Sequence, residues 1–307
     1  MTFPTRRAVF LAVIMGCVPA FAQTSVPAGP ETVASQAVIS KLNAYVGLLN
    51  RTLRASESMT RYASWVNMRT GPTGRESIVY GLYSLYDVRD EIAKAKAAVD
   101  AEPRMPELDA AIPPYVAAYE TLAPLIAQGN GYYERADYKV DKMAEGKTLH
   151  AKLAPAGRAF LEERAKLEPL FAREKLKSDE AELALIEKQE GRKARWVVAN
   201  VMLRARPMVE LLPREAKPVV DLPAFDAALA TYASAVRSMD EYAAAEPGSF
   251  SGFEGRPASW LGNLREFREK LGRAKGDARR GRIDTTWIVN DYNTLISSSQ
   301  TATQFPR

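Results

Sequence analysis

Cysteine and histidine are nearly absent from this chain. Among 307 residues there is one of each, Cys17 and His150. A single cysteine cannot build a disulfide framework, and a single imidazole leaves little for metal or nucleophilic chemistry. No Gly-x-Ser-x-Gly elbow, glycine-rich phosphate loop or His-Glu-x-x-His pair occurs. Neither sign of charge prevails: 42 basic against 37 acidic residues give a formal +5. A balance this even implies no nucleic-acid partner. Beyond the N-terminus no run approaches the roughly 20 apolar residues that span a bilayer, so no transmembrane span is expected in the mature chain. β-branched residues never alternate over a useful length, which excludes a substantial sheet.

What is present begins with an export pattern. Arg6 and Arg7 precede an apolar run from Ala8 to Val18, Pro19 breaks it, and Ala20-Phe21-Ala22 supplies a small-x-small site. This predicts a signal peptide over residues 1–22, cut between Ala22 and Gln23. Ile14-Met15-Gly16-Cys17 is a loose lipoprotein signal, so acylation at Cys17 is the alternative. Loss of Arg6 and Arg7 would lower the formal charge to +3. A short flexible tether is expected over 23–33, then one helical domain over 34–305, with two sub-bundles as an option. About 285 residues are enough to bury a core without disulfides.

The remaining pattern is helical. Ile39, Leu42, Tyr45, Leu49 and Leu53 recur at steps of three and four, predicting a first helix from Glu31 to Met68. Gly71-Pro72-Thr73-Gly74 should end it. A second is expected over Arg75–Ala101, with Ile78, Leu82, Leu85, Val88, Ile92 and Val99 on one side. A third should start at Pro113-Pro114, kink at Pro124 and stop at Gly129-Asn130-Gly131. Further helices are expected over Val140–Gln189, bent at Pro155 and Pro169, over Trp196–Leu212, and from a cap at Asp221 to Ala245. Two more cover Ala258–Lys275 and Asp284–Ala302. The result is an all-α antiparallel bundle of about seven or eight helices. A faint similarity at an offset of 110, Pro113–Ala118 with Pro223–Ala228 and Ile92–Lys96 with Met202–Arg206, raises the option of two related three-helix units plus a closing hairpin.

Tyr132-Tyr133-Glu134-Arg135-Ala136-Asp137-Tyr138-Lys139-Val140-Asp141, followed by Gly146-Lys147-Thr148-Leu149-His150, resembles the signature of the YiiG-like family, bacterial envelope proteins of unknown function. Lys41-Leu42-Asn43-Ala44-Tyr45-Val46 with Leu49-Asn50 is similar to the family's opening motif. Asn290-Asp291-Tyr292-Asn293-Thr294-Leu295-Ile296-Ser297 is similar to its closing one. The resemblance implies an exported, mostly helical protein, often lipid-anchored, and implies no activity.

Two candidate sites follow. The first is Tyr132, Tyr133, Asp137, Tyr138, Asp141, Lys147 and His150. The tyrosines could line a groove for sugar rings or a peptide, or pack between helices, because each joins an aromatic body to a polar tip. Asp141 and Glu145 would lie one helical turn apart, but His150 is five residues beyond Glu145 and a hard carboxylate pair is a poor transition-metal site, so no metal or cofactor is expected. His150 would then hydrogen-bond between helices. Tyr133 and Tyr138 are expected to be buried with paired hydroxyls, in a segment closing a junction between the halves of the chain. The asparagines of the opening and closing motifs could pair the first helix with the last. The second site is Lys270, Arg273, Lys275, Arg279, Arg280 and Arg282, with only Asp277 among them. It suits an anionic lipid or cell-wall polymer, at about 1 kcal/mol per basic residue near a charged surface. Alternatively it is a solvated turn whose cations favour a helix C-terminus.

These features read as a non-catalytic periplasmic protein that binds or scaffolds an envelope component: a protein, a cell-wall polymer or a lipid headgroup. The rival is an envelope hydrolase or lyase using carboxylates and tyrosines, since such chemistry needs only acidic residues. A solute receptor would usually need alternating strands and helices.

Overall fold

A computed structural model describes residues 30–213, 218–250 and 252–304. The export pattern around Arg6, Arg7, Cys17, Ala22 and Gln23 lies outside them. The elements are α1 (Pro30–Ala63), α2 (Arg89–Asp100), α3 (Pro106–Glu134), a 3-10 turn (Asp137–Lys139), α4 (Ala144–Glu190), α5 (Ala194–Glu210), α6 (Leu222–Ala245), α7 (Arg256–Arg273), the one-turn α8 (Ala278–Gly281) and α9 (Thr286–Gln304). The protein is all-α. Among the described residues the only β pairing is an isolated bridge between Val219 and Asp277. The chain divides into two compact units, residues 26–178 and 179–307, with the boundary inside α4.

In the first unit α1 packs on α2 and α3. Its predicted stripe is buried at Leu42, Tyr45 and Leu49 and continues through Ala55, Met59 and Tyr62. One buried polar group is tied into this face. Lys41 Nζ donates to Asp109 Oδ2 at 2.8 Å and to the carbonyls of Ala101 and Pro103. Tyr45 Oη donates to Asp109 Oδ1 at 2.6 Å, and the Met105 amide reaches Oδ2. Asp109 lies in the first turn of α3, where a negative charge favours the helix. The opening motif thus fastens α1 to the start of α3.

Several boundaries differ from expectation. Pro30 already belongs to α1, inside the segment expected as tether, and α1 ends at Ala63, five residues before Met68. The second helix is cut to Arg89–Asp100, and residues 75–88 run without regular structure. The third starts seven residues before Pro113, at Pro106, and passes through Gly129-Asn130-Gly131 to Glu134. Gly129 serves close packing instead of ending the helix: a Cβ there would lie 2.5 Å from Leu82 Cδ1 and 2.8 Å from Leu149 Cδ2. α4 remains one helix across Pro155 and Pro169.

The second unit is a bundle in which α5 packs on α6 and α9, and α7 on α6 and α9. Phe225, Tyr232, Val236, Trp260, Leu264, Phe267, Ile288 and Leu295 fill its core. Asp221 caps α6 as expected, accepting from the Ala224 amide at 3.1 Å. Trp260 Nε1 donates to the Ile288 carbonyl, and Asn263 Nδ2 to Asp291 Oδ2 at 2.7 Å. The closing motif therefore fastens α9 to α7. The segments matched at an offset of 110 occupy different places: Pro113 lies inside α3, and Pro223 is the second residue of α6.

Candidate functional site

The tyrosine motif folds inward. Tyr132 and Tyr133 end α3 and are buried, and His150 is buried on α4. Tyr62 and Trp65, near the end of α1, complete an aromatic cluster. Trp65 and Tyr133 meet edge-on at 5.1 Å between ring centroids, Tyr62 and Trp65 at 5.4 Å, and Tyr132 and Tyr133 at 4.9 Å. The Tyr62 hydroxyl and His150 Nδ1 are 3.1 Å apart, so the imidazole does link two helices. Burial holds its pKa below the usual histidine value, and a hydrogen bond to the Met68 main chain partly offsets this. Burial pushes Tyr62 up to about 12, and Tyr133 higher still.

The acids of the motif serve the local fold. Asp141 accepts from Tyr132 Oη at 2.8 Å, from the Met143 amide at 2.9 Å and from the Glu145 amide at 2.8 Å. It thereby caps the start of α4, and those amide hydrogen bonds keep its carboxyl below the ordinary range. Asp137 pairs with Arg135 at 2.7 Å. Lys147 faces solvent, and Tyr138 is only half-buried. Two expectations therefore need correction. Tyr138 is not a core residue, and among the described residues the buried Tyr133 hydroxyl meets no partner in good hydrogen-bonding geometry, although that of Tyr62 is close enough to influence it. The ring is held by aromatic neighbours on several sides, and its hydroxyl is carried in with it. Tyr132 and His150 find their hydrogen-bond partners, and Tyr133 its ring contacts, within the first unit.

Sequence reasoning missed what covers this cluster. Residues 71–88, expected in part as helix, form a strap along α1. Arg61 donates to the Tyr80 carbonyl, Trp65 Nε1 to the Gly81 carbonyl at 3.1 Å, Arg51 Nε to the Asp87 carbonyl, and the Tyr83 amide donates to Ser58 Oγ. The Arg54 and Arg61 guanidiniums lie 3.8 and 4.4 Å from the Tyr83 ring centroid. These contacts supply partners that helical turns would otherwise provide. Glycine is required where the strap crosses the motif. Gly71 and Gly81 have positive φ; a Cβ on the first would lie 2.8 Å from His150 Cδ2, and on the second 3.1 Å from Tyr133 Cβ. The signal was the arginine series on α1, which only a tertiary view connects to the strap.

The basic cluster has the opposite character. α7 ends at Arg273, and a turn leads into α8. That turn is pinned to residues 218–220: the Val220 amide donates to the Gly276 carbonyl and the Ala278 amide to the Pro218 carbonyl. Asp277, the acid inside the cluster, caps α8 by accepting from the Arg279 and Arg280 amides. Around this turn lies an open cleft of about 540 Å³ lined by Lys270, Arg273, Arg280, Arg282, Asp284 and Trp287. Four cations against one carboxylate leave a net of three positive charges on its wall. Asp284 is itself committed, accepting from the Thr286 amide at 2.9 Å and Oγ1 at 2.6 Å at the start of α9. Those bonds hold its carboxyl below the ordinary range.

Lys270 and Arg273 pair with Glu266 and Glu269, one helical turn back. Both partners are solvent-exposed, so these pairs are weak and salt-sensitive. Among the described residues Arg280 and Arg282 form no ion pair. Trp287, missed in the sequence, is fixed by its Nε1 donating to the Asp284 carbonyl at 3.0 Å, and Lys270 Nζ lies 5.3 Å from its ring centroid. Lys275 lies in the turn before α8 and Arg279 in α8, and neither belongs to the cleft wall. Among the described residues no group of three or more histidine, cysteine or acidic side chains could hold a metal ion. No helix among them is long and apolar enough to cross a membrane.

Comparison with known proteins gives a lineage without a chemistry. The family described as "Protein of unknown function (DUF3829)" matches residues 36–296, a range enclosing the tyrosine motif and the whole basic cleft. The "Uncharacterized protein YiiG" of Escherichia coli (strain K12) is 31% identical over 199 residues, 63% of this chain and 56% of that protein. The aligned stretch thus spans little more than half of that relative's length. No solved structure matches. Matched over most of its length, and with the YiiG likeness its motifs had suggested, the chain belongs to the DUF3829 family.

Proposed function

We propose that this is an exported, non-catalytic protein of the cell envelope, which binds an anionic envelope component through the basic cleft between α7 and α9. The observation that carries the reading is the cleft wall: Lys270, Arg273, Arg280 and Arg282 face one carboxylate, and that carboxylate is occupied in a helix cap. Such a concentration of one sign attracts anions and raises their local concentration. The N-terminal pattern of Arg6, Arg7, the apolar run and Ala20-Phe21-Ala22 supports export. Against a hydrolase or lyase stands the state of the acids in the tyrosine motif. Asp141 is lowered and engaged by two amides, whereas a general acid needs a raised pKa near the working pH.

The test combines fractionation with sedimentation. The mature protein is expected in the periplasmic or envelope fraction, with an N-terminus at Gln23. Purified, it should co-sediment with isolated envelopes at low salt and be released as salt rises. Reversing two charges, Arg280→Glu with Arg282→Glu, should abolish sedimentation. Retention of the full-length precursor in the cytoplasm, or equal sedimentation of wild type and variant, would overturn the reading.

A further inference from the structure

The geometry of the cleft points to a specific ligand chemistry, and we infer that it takes a phosphate group, carried on a polar headgroup or as a soluble phosphate. This rests on the reading of the cleft as a binding site. Three of its four cations are arginines, whose planar forks match phosphate and carboxylate oxygens in pairs. Stoichiometry of charge separates the two anions. A carboxylate offers one negative charge and two oxygens, which a single guanidinium can satisfy. A phosphomonoester carries roughly −1.5 to −2 at neutral pH and three terminal oxygens. It can therefore engage several forks at once, first of all those of Arg280 and Arg282, which form no ion pair among the described residues.

The arrangement supplies both fixed and recruitable cations. Arg280 and Arg282, which form no ion pair among the described residues, flank Gly281 on the turn. Lys270 and Arg273 reach the cleft from the last turn of α7, and their exposed pairs with Glu266 and Glu269 can be exchanged for a stronger anion. Their positive charges also suit the C-terminal end of that helix, so they are positioned before any ligand arrives. Asp284 would repel an anion if it turned inward, and its bonds to Thr286 hold it in the cap. Trp287 offers an apolar wall to the part of a headgroup that carries no charge.

The experiment titrates the mature protein with pyrophosphate and, separately, with citrate as a carboxylate of similar charge, using calorimetry. Sedimentation with phosphatidylcholine vesicles, with and without phosphatidic acid, whose headgroup is a phosphomonoester, forms the second arm. Pyrophosphate should bind at least about tenfold more tightly than citrate, since arginine forks gain most from several oxygens on one centre. The variant Arg280→Ala with Arg282→Ala should lose at least about tenfold in pyrophosphate affinity while melting as the wild type does. Binding to phosphatidic acid vesicles as well assigns the phosphate to a lipid headgroup; binding to pyrophosphate alone assigns it to a soluble source. Either result upholds phosphate recognition. Citrate binding as tight as pyrophosphate, or pyrophosphate binding unchanged in the variant, would overturn it. Sedimentation with envelopes but with neither phosphate probe would also sink this inference, while leaving the envelope-binding reading intact.

Discussion

The tyrosine motif of the first unit and the basic cleft of the second contain similar numbers of polar groups and use them oppositely. In the motif, Tyr132, Asp141 and His150 hold hydrogen bonds to other parts of the same unit, and a strap lies over Tyr133 and His150. In the cleft, Arg280 and Arg282 form no ion pair among the described residues, and the one carboxylate is drawn aside into a cap. A segment rich in tyrosine and acid, with the chain's one histidine, looks more like a site than a run of arginines and glycines does. Here the richer segment is spent on packing. Residue chemistry marks a candidate; whether its groups are already satisfied separates a structural knot from a binding surface.

The largest expected effect lies with the inward groups. Asp109→Ala strands the buried Lys41 ammonium, whose side chain is 1% exposed, and should cost about 3–5 kcal/mol by chemical denaturation. If the loss is under about 1 kcal/mol, the first unit is not held by its polar interior and the comparison fails.

The next test lies inside the motif. Tyr133→Ala removes a ring packed against Tyr62, Trp65 and Tyr132 and should cost about 3 kcal/mol or more. Tyr133→Phe removes only a buried hydroxyl that makes no hydrogen bond of good geometry among the described residues, and should change stability by less than about 1 kcal/mol. A substantial destabilisation by phenylalanine would mean that the hydroxyl has a partner after all.

A smaller effect concerns pH. The folded protein holds His150 below the ordinary histidine value, so the unfolded chain takes up that proton first. Stability should therefore fall as pH drops below about 6.5 and continue to fall until the folded imidazole itself titrates. His150 is the only histidine, which isolates it between the carboxylates and neutral pH. Melting temperatures compared between about pH 7.5 and about pH 5 should decline less in His150→Gln than in the wild type. Equal declines would place the sensitivity elsewhere.

The smallest effect on stability is expected in the cleft. Arg280→Ala with Arg282→Ala should leave the unfolding free energy within about 0.5 kcal/mol of wild type, as for exposed residues that form no ion pair among those described. Greater destabilisation would make the arginines structural.

Most helices were legible because apolar spacing at three and four survives folding: Leu42, Tyr45 and Leu49, or Trp260, Leu264, Phe267 and Leu271, are buried together. The segment 75–88 carries the same spacing and is not helical. Its conformation is set by Arg51, Ser58 and Arg61 on α1 and by Trp65 just beyond it, residues that no local window includes. Gly129 misled in the other direction: read as a stop, it clears space for Leu82 and Leu149. The basic cluster could be read from its composition. Trp287 and the diversion of Asp284 could not, because the first depends on where α9 begins and the second on a cap.

Envelope sedimentation of two variants, side by side, tests the central claim most directly. Tyr133→Phe alters the inward motif, and Arg280→Ala with Arg282→Ala alters the outward cleft, with both variants expected to melt near the wild type. The account predicts that the tyrosine variant sediments with envelopes as the wild type does and that the arginine variant stays in solution. If the arginine variant sediments normally and the tyrosine variant does not, the motif is the binding surface and the assignment of the two regions is reversed.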